Sequence, residues 1–338
     1  MNQTNFDIIE LDKNYSTMRR VIKADPQEIA GLVKQANKPE DKFETVLFLP
    51  EGENRQGEGG LRTQGYFKVG GIIPSPLTGS TSPLTKDDPS PSTPNPSPEA
   101  KPLITVVTVV FNGEQFLEET ILSVINQTYD NVEYIIIDGG STDRTLDIIK
   151  KYEHAIDYWV SEKDEGIYDA MNKGIFMATG KLVNFLNSGD IYLTSALLVF
   201  NEINIYDSQI LKFKVQVENG LVRNEIASVL YFGRRMLNHQ GIFYGIDVFR
   251  KNLFDKDYKI IGDLKHVVEK DLWKKIEYYD IVLVRYAGGG LATTRKAIFQ
   301  NYVERTRVLI WSDVDIRIRF VIFGYALIGL VFNFLKGR

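Results

Sequence analysis

Between residues 104 and 187, short apolar runs alternate with stretches whose apolar residues recur at helical spacing, and no other feature constrains the fold as much. The runs are Ile104 to Val110, Val132 to Ile137, Ile156 to Val160 and Leu182 to Asn187, rich in branched and aromatic side chains. Between them, Gly113 to Asn126 places Phe116, Leu117, Thr120, Ile121 and Val124 at helical spacing. Ser141-Thr142-Asp143 supplies an N-cap for a helix running to about Tyr152, and Ile167 to Ala178 reads as a further helix. Strands alternating with helices at this spacing require crossover connections, which build a parallel sheet with helices on both faces.

Ligands of an open α/β sheet bind beyond the carboxyl ends of its strands. The residues that follow the runs are therefore the candidates for chemistry: Phe111-Asn112, then Asp138-Gly139-Gly140-Ser141-Thr142-Asp143, then Asn187-Ser188-Gly189-Asp190. Taken singly these are turn and cap residues. Together they line one crevice, with Asp138 toward a nucleobase and Asp190 toward a divalent metal. Hard oxygen ligands suit Mg²⁺ or Mn²⁺, which keep waters and bridge substrate phosphates.

Residues 1–71 read as a first, appended unit, with a short helix after Asp25-Pro26 and a strand from Phe43 to Leu49. In its glycine-rich stretch, Gly57 to Lys68, a hairpin turn fits better than an anion-binding loop using Arg62. Residues 72–101 are crowded with Pro, Ser and Thr and read as a disordered linker. The main domain spans 102–312, continuing with a strand Ile210 to Val217, a loop and strand Asn238 to Tyr244, and a helix from about Asp263 to Ile276. A strand Tyr279 to Val284, Gly288-Gly289-Gly290 and a long helix Thr294 to Trp311 complete it. Residues 313–338 form an apolar helix: Phe320 to Leu335 is flanked by Arg317, Arg319, Lys336 and Arg338, which suit anionic headgroups. Sixteen residues make a helix of about 24 Å, short of the roughly 30 Å hydrocarbon core, so a peripheral contact with the membrane is expected instead of a span.

A net charge of −4 gives no reason to expect a nucleic-acid partner. The chain has no cysteine, which excludes disulfides and thiolate catalysis, and residues 1–23 lack the apolar core of a secretory signal. Both fit a cytoplasmic location. No two of the three histidines have the spacing of a metal pair, and Gly174 to Lys181 fails as a P-loop because it enters a strand.

Four segments resemble glycosyltransferase family 2 in order and spacing. They are Ile104 to Gly113, Tyr134 to Asp143, Asp164-Glu165-Gly166-Ile167-Tyr168-Asp169-Ala170-Met171-Asn172-Lys173-Gly174, and Phe185 to Asp190. The resemblance, over roughly residues 102 to 300, implies a GT-A fold, a nucleotide-diphosphate sugar donor, a divalent metal and inversion at the anomeric carbon. Carried over residue by residue, it gives Phe111 and Asp138 to the nucleoside. Asn112, Gly140, Ser141, Asp169, Asn172 and Asn187 also fall to the nucleotide sugar, and Asp190 to the metal. Many members carry an acid at the position of Asn187 and a second Asp at that of Gly139; an Asn hydrogen-bonds a ribose hydroxyl but adds no charge. Asp263, in Ile260-Ile261-Gly262-Asp263-Leu264, matches the family's general base, and His239, in Asn238-His239-Gln240, resembles a segment facing the donor phosphates or acceptor. The implied partner is a glycan or lipid-linked glycan acceptor at the inner face of the cytoplasmic membrane. A non-catalytic nucleotide-sugar-binding protein of the same fold is the rival reading.

Overall fold

The structure is a computed structural model that describes residues 7–52, 54–73, 101–206, 208–217, 220–223, 238–269, 272–286, 295–311 and 324. The Pro-rich linker is outside the described residues from 74 to 100, as are Gly288-Gly289-Gly290 and, apart from Gly324, the apolar C-terminal stretch.

The first residues form β1 (Val21–Lys23), α1 (Pro26–Ala36), β2 (Gly57–Gly59) and β3 (Tyr66–Lys68). Asp25 caps α1 by accepting from the backbone of Gln27 and Glu28, with Pro26 at the helix start where its missing N–H costs nothing. The alternating region follows as β4 (Ile104–Val110), α2 (Leu117–Ile125), β5 (Val132–Asp138), α3 (Thr145–Lys151), β6 (Tyr158–Ser161), α4 (Ile167–Met177) and β7 (Leu182–Phe185). Every residue of β4, β5, β6 and β7 is buried, as strands covered on both faces must be. After these come β8 (Ile191–Tyr192), β9 (Ile210–Val217), β10 (Val222–Arg223), β11 (Ile242–Gly245), α5 (Ile246–Lys251), α6 (Gly262–Glu269), β12 (Ile276–Tyr286) and α7 (Arg295–Trp311).

These strands make one 10-stranded sheet in the order β2-β6-β5-β4-β7-β11-β9-β12-β8, with β10 beside β9. The fold is α/β with a parallel centre, β6-β5-β4-β7, from which the chain runs outward through β5 and β6 before returning to the other side of β4. The strand order therefore reverses between β4 and β7, the switch point where such sheets open a crevice. One apolar core lies on the α4, α5 and α6 face and a second on the α2 and α3 face.

The helix expected to reach Ile276 ends earlier, at Glu269, because residues from Ile276 onward pair with β9. Phe43 to Leu49 is not a strand. Leu47 and Leu49 are buried and Val46 donates to the Phe176 carbonyl, but among the described residues no strand pairs with this stretch, which bends at Leu47 and Phe48, so the alternation marks irregular chain laid on α4.

The first residues are not a detached unit, contrary to the sequence expectation. β2 is the edge strand beside β6, and β3 pairs with β1, so Gly57 to Lys68 is no hairpin. Gly60, at φ +105, brings Leu61 and Arg62 against the carbonyls of Ile156 and Asp157, where a Cβ would collide. Arg62 then reaches inward, only 2 % exposed, to pair with Glu133 of β5 at 2.5 Å and to donate to the Leu47 and Met177 carbonyls. It is a structural residue, not an anion ligand. Glu133 also accepts from Thr105 at 2.6 Å and from the Thr179 backbone at 2.9 Å. Removing one partner of a buried pair strands the other charge, at about 3–5 kcal/mol. Arg62→Ala should therefore lower stability by about that amount in urea denaturation, and a version beginning at Lys101 should be insoluble; wild-type-like midpoints for the variant would show that the first residues are dispensable.

Candidate functional site

Three loops at the carboxyl ends of β4, β5 and β7 meet at the switch point, and each is pinned by its neighbours. Asn112 adopts a left-handed conformation (φ 51), which Asn tolerates better than most residues. Its backbone N–H donates to Ser141 Oγ at 2.7 Å, and its side-chain Oδ1 accepts from the Thr142 backbone at 2.9 Å. The turn leaves Phe111 projecting, 64 % exposed, over the rim. Gly113 lies so close to Ser188 that a Cβ there would come within 2.8 Å of its hydroxyl. Thr120 of α2 fixes the third loop: its hydroxyl donates to the Asp190 carbonyl and accepts from the Gly189 N–H, both at 2.9 Å.

Asp138 does not face an open crevice. It is fully buried, and its carboxylate accepts from the Ser141 backbone at 3.0 Å, from Ser161 Oγ at 2.6 Å and from Ser141 Oγ. Those bonds, with Gly140 at φ +80, hold the loop that supports Asn112, so Asp138 and Ser141 shape the site from beneath. The acid nearer the rim is Asp164, which the sequence reading passed over except as part of a motif. It packs on Gly139, where a Cβ would meet its carboxylate at 2.6 Å, and accepts from the Gly166 N–H at 2.8 Å. Burial raises its carboxyl above the usual range, and Asp169 and Asp138 add to the effect. Gly139, in place of a second Asp, is the space that Asp164 occupies.

Asn172 is taken up structurally: its amide donates to the Phe254 carbonyl at 2.9 Å and accepts from the Phe254 N–H at 3.0 Å. Asp169 accepts from the Glu165 backbone at 3.1 Å, closing the loop ahead of α4. Asn172 thus braces the site from behind its surface, whereas Asp169 is half-buried.

Across the crevice from Phe111, four side chains from separate elements form a chain of hydrogen bonds. Asn187 Nδ2 lies 2.9 Å from His239 Nε2, and His239 Nδ1 lies 3.3 Å from Asp263 Oδ2. Asp263 Oδ1 accepts from Tyr168 Oη at 3.0 Å and from the Leu264 N–H at 2.8 Å. Burial and the nearby Asp263 charge push the Tyr168 hydroxyl well above its ordinary range, so it remains a donor. Gly262 makes room for that ring, since a Cβ would meet it at 2.8 Å. Glu304 of α7, fully buried, accepts from the backbone N–H groups of Lys259, Ile260 and Ile261 and so fixes the turn that delivers Asp263. Tyr168 and Glu304 escaped the sequence reading. Tyr168 lies inside a recognised motif, whereas Glu304 carried no signal on a helix read only as long.

Asn187, Ser188 and Gln240 each leave a buried side-chain oxygen without a hydrogen-bond partner among the described residues. Buried polar atoms are normally satisfied, so orphans gathered beside one strand end mark where a ligand or its water belongs. Asp190 is 4 % exposed in the same turn. Among the described residues no group of three or more His, Cys, Asp or Glu converges as a metal site. Mg²⁺ and Mn²⁺ need no such cage, because one carboxylate together with substrate phosphates and waters suffices. A carboxylate beside the orphaned Asn187 oxygen fits that donor set.

Among the described residues no helix is long and apolar enough to cross a membrane. The pattern of Glycosyl transferase family 2 matches residues 105–200, which hold the three pinned loops and α4. An uncharacterized glycosyltransferase of Mycobacterium tuberculosis is 33% identical over 183 residues, covering 51% of this chain and 70% of that protein. A Bacillus subtilis protein named for teichuronic acid biosynthesis, TuaG, is 39% identical over 93 residues, 27% of this chain and 37% of its own. The crystal structure of residues 1–349 of TarS from S. aureus is similar at 18% identity and a TM-score of 0.48, over 67% of this chain and 70% of that one. With that shared sequence lying on the strand ends that build the crevice, this chain belongs to glycosyltransferase family 2.

Proposed function

We propose that the protein transfers a sugar from a nucleotide-diphosphate donor, a UDP-sugar, to a hydroxyl of a glycan or lipid-linked glycan, with inversion, in the synthesis of a cell-envelope polysaccharide. The observation that carries this reading is the buried Asp263 carboxylate at the start of α6, oriented by Tyr168, the Leu264 N–H and His239. Each carboxylate oxygen accepts about two hydrogen bonds. Asp263 Oδ1 has both, while among the described residues Oδ2 has one partner, His239, leaving room on Oδ2 for an acceptor hydroxyl. The acceptor oxygen attacks the anomeric carbon as the bond to the diphosphate breaks on the opposite face, and its proton passes to Oδ2. The name of TuaG supports an envelope polysaccharide as the product class.

On the donor side, Phe111 offers a face for the nucleobase, and Asn187 Oδ1 an acceptor for a ribose hydroxyl. Asp190 would hold Mg²⁺ or Mn²⁺, which when bound neutralises the charge that develops on the departing diphosphate.

A screen of nucleotide sugars for metal-dependent hydrolysis identifies the donor without the acceptor, because slow hydrolysis reports donor binding. With that donor, Asp263→Asn should lower turnover by about 10²-fold or more, the scale of losing a general base, while donor affinity survives. Turnover within a few-fold of the parent would reduce Asp263 to a helix cap and favour a protein that binds without catalysis. Asp190→Ala should abolish the Mn²⁺-dependent part of UDP binding by calorimetry and leave the thermal midpoint near the parent's; undiminished affinity at saturating Mn²⁺ contradicts the metal assignment.

The cations at both ends of Phe320 to Leu335 support a peripheral position on the inner membrane face, close to a lipid-linked acceptor. Full-length protein should float with acidic liposomes at low salt, and a version ending at Trp311 should not. Equal flotation of the two removes the tail from the membrane reading.

A further inference from the structure

Asn187 stands where many members of the family carry an acid, and the hydrogen bonds around it give that replacement a task. We infer that Asn187 fixes the imidazole of His239 in the tautomer protonated at Nδ1, making His239 a positioning residue for the Asp263 carboxylate. The inference rests on the reading of Asp263 as the base.

A neutral imidazole carries one N–H and one lone pair, and each must face a complementary group. His239 Nδ1 faces a carboxylate, Asp263 Oδ2, at 3.3 Å, so the proton belongs on Nδ1. Nε2 is then a bare acceptor and needs a donor, which the Asn187 amide supplies at 2.9 Å. Turning that amide over would set Oδ1 against the Nε2 lone pair. An Asp at 187 would do the same with a full charge and would call for a proton on Nε2 as well, so that the ring no longer has a single fixed tautomer.

Both ends of this bond are held in place, one by backbone and the other by a buried side chain. The Asn187 carbonyl accepts from the Asp190 N–H at 3.0 Å, and the preceding Leu186 N–H donates to the Val107 carbonyl at 3.0 Å. The turn carrying His239 is tied to β7 by Asn184, whose Nδ2 donates to the carbonyls of Gln240 at 3.0 Å and Ile242 at 2.7 Å. The ring is therefore clamped between the strand that ends at the donor side and the helix that starts at the acceptor side. The arrangement also explains why Asn187 Oδ1 is left over: the amide nitrogen is committed to His239, and the oxygen is what remains for a ligand.

The chain has three histidines, His154, His239 and His266, so its imidazole nitrogens can be resolved individually by long-range ¹H–¹⁵N correlation on protein labelled with ¹⁵N-histidine. His239→Asn assigns the signal. At pH 8, where a free imidazole is neutral, His239 should show a protonated Nδ1 and a bare Nε2, and Asn187→Asp should move a proton onto Nε2. A wild-type ring protonated at Nε2 alone, or at both nitrogens, overturns the inference.

Kinetics with the donor found by the nucleotide-sugar screen give a second, independent measurement. The Asn amide nitrogen reaches the position of Nδ1, whereas the Gln amide nitrogen reaches that of Nε2. His239→Asn should therefore keep kcat within several-fold of the parent, and His239→Gln should lose about tenfold or more, with KM for the donor unchanged in both. If His239→Gln is the better enzyme, and Mn²⁺–UDP affinity falls in His239→Asn, the ring serves the donor and not the base. Failure of the base reading appears elsewhere, as full turnover of Asp263→Asn, and does not touch the tautomer measurement.

Discussion

A carboxylate placed in the middle of a sheet must be neutralised where it stands, and Glu133 on β5 imposes that requirement on the whole molecule. Its two oxygens collect Arg62 from the first residues, Thr105 from β4, and the backbone and hydroxyl of Thr179 from the loop before β7. Three stretches far apart in sequence are thereby bound to one buried charge on a fourth. Left unpaired, that charge would cost several kcal/mol, a large share of the 5–15 kcal/mol that separates a folded domain from its unfolded chain. The residues before the Pro-rich stretch are consequently part of the sheet's foundation, and Arg62 is the reason they cannot be read as an appendage.

The same physics divides the acids of the molecule into two kinds. Glu133, Asp138 and Glu304 are at most 1 % exposed, and serines, threonines, an arginine or backbone N–H groups occupy their oxygens. They set loops and strands in place. Asp263 is nearly as buried, yet among the described residues one of its oxygens faces only His239. Exposure alone does not separate the two kinds; the count of satisfied lone pairs does.

The parallel centre was legible in the sequence because fully buried strands are continuous apolar runs, and β4, β5 and β7 begin where those runs begin. The rim was legible for the same reason, since whatever follows such a run lies at the strand's carboxyl end. What the sequence could not rank was which polar residue on the rim looks outward. Asp138 reads as a ligand by position, but the serines at 141 and 161 turn it inward, and the second of these is 23 residues away on another strand. Asn172 is turned away by the backbone of Phe254, 82 residues on. Gly139, a departure from the family pattern, became intelligible only when Asp164 was found filling its place.

The bond between Asn187 and His239 spans 52 residues, and that between His239 and Asp263 a further 24. Each of the three residues has an ordinary local explanation, as turn, loop and cap, and none of these predicts the others. What joins them is the switch point. β7 returns to the far side of β4, β11 pairs with β7 in the opposite direction, and the turn before β11 therefore arrives beside the carboxyl end of β7. Any side chain on that turn meets any side chain on that strand end, and a helix starting nearby completes the row. An inverting transfer needs its leaving group and its base on opposite sides of one carbon. For the transfer proposed above, an antiparallel strand laid beside a parallel one would serve that need, because it brings the end of one element and the start of another to the same rim from opposite directions.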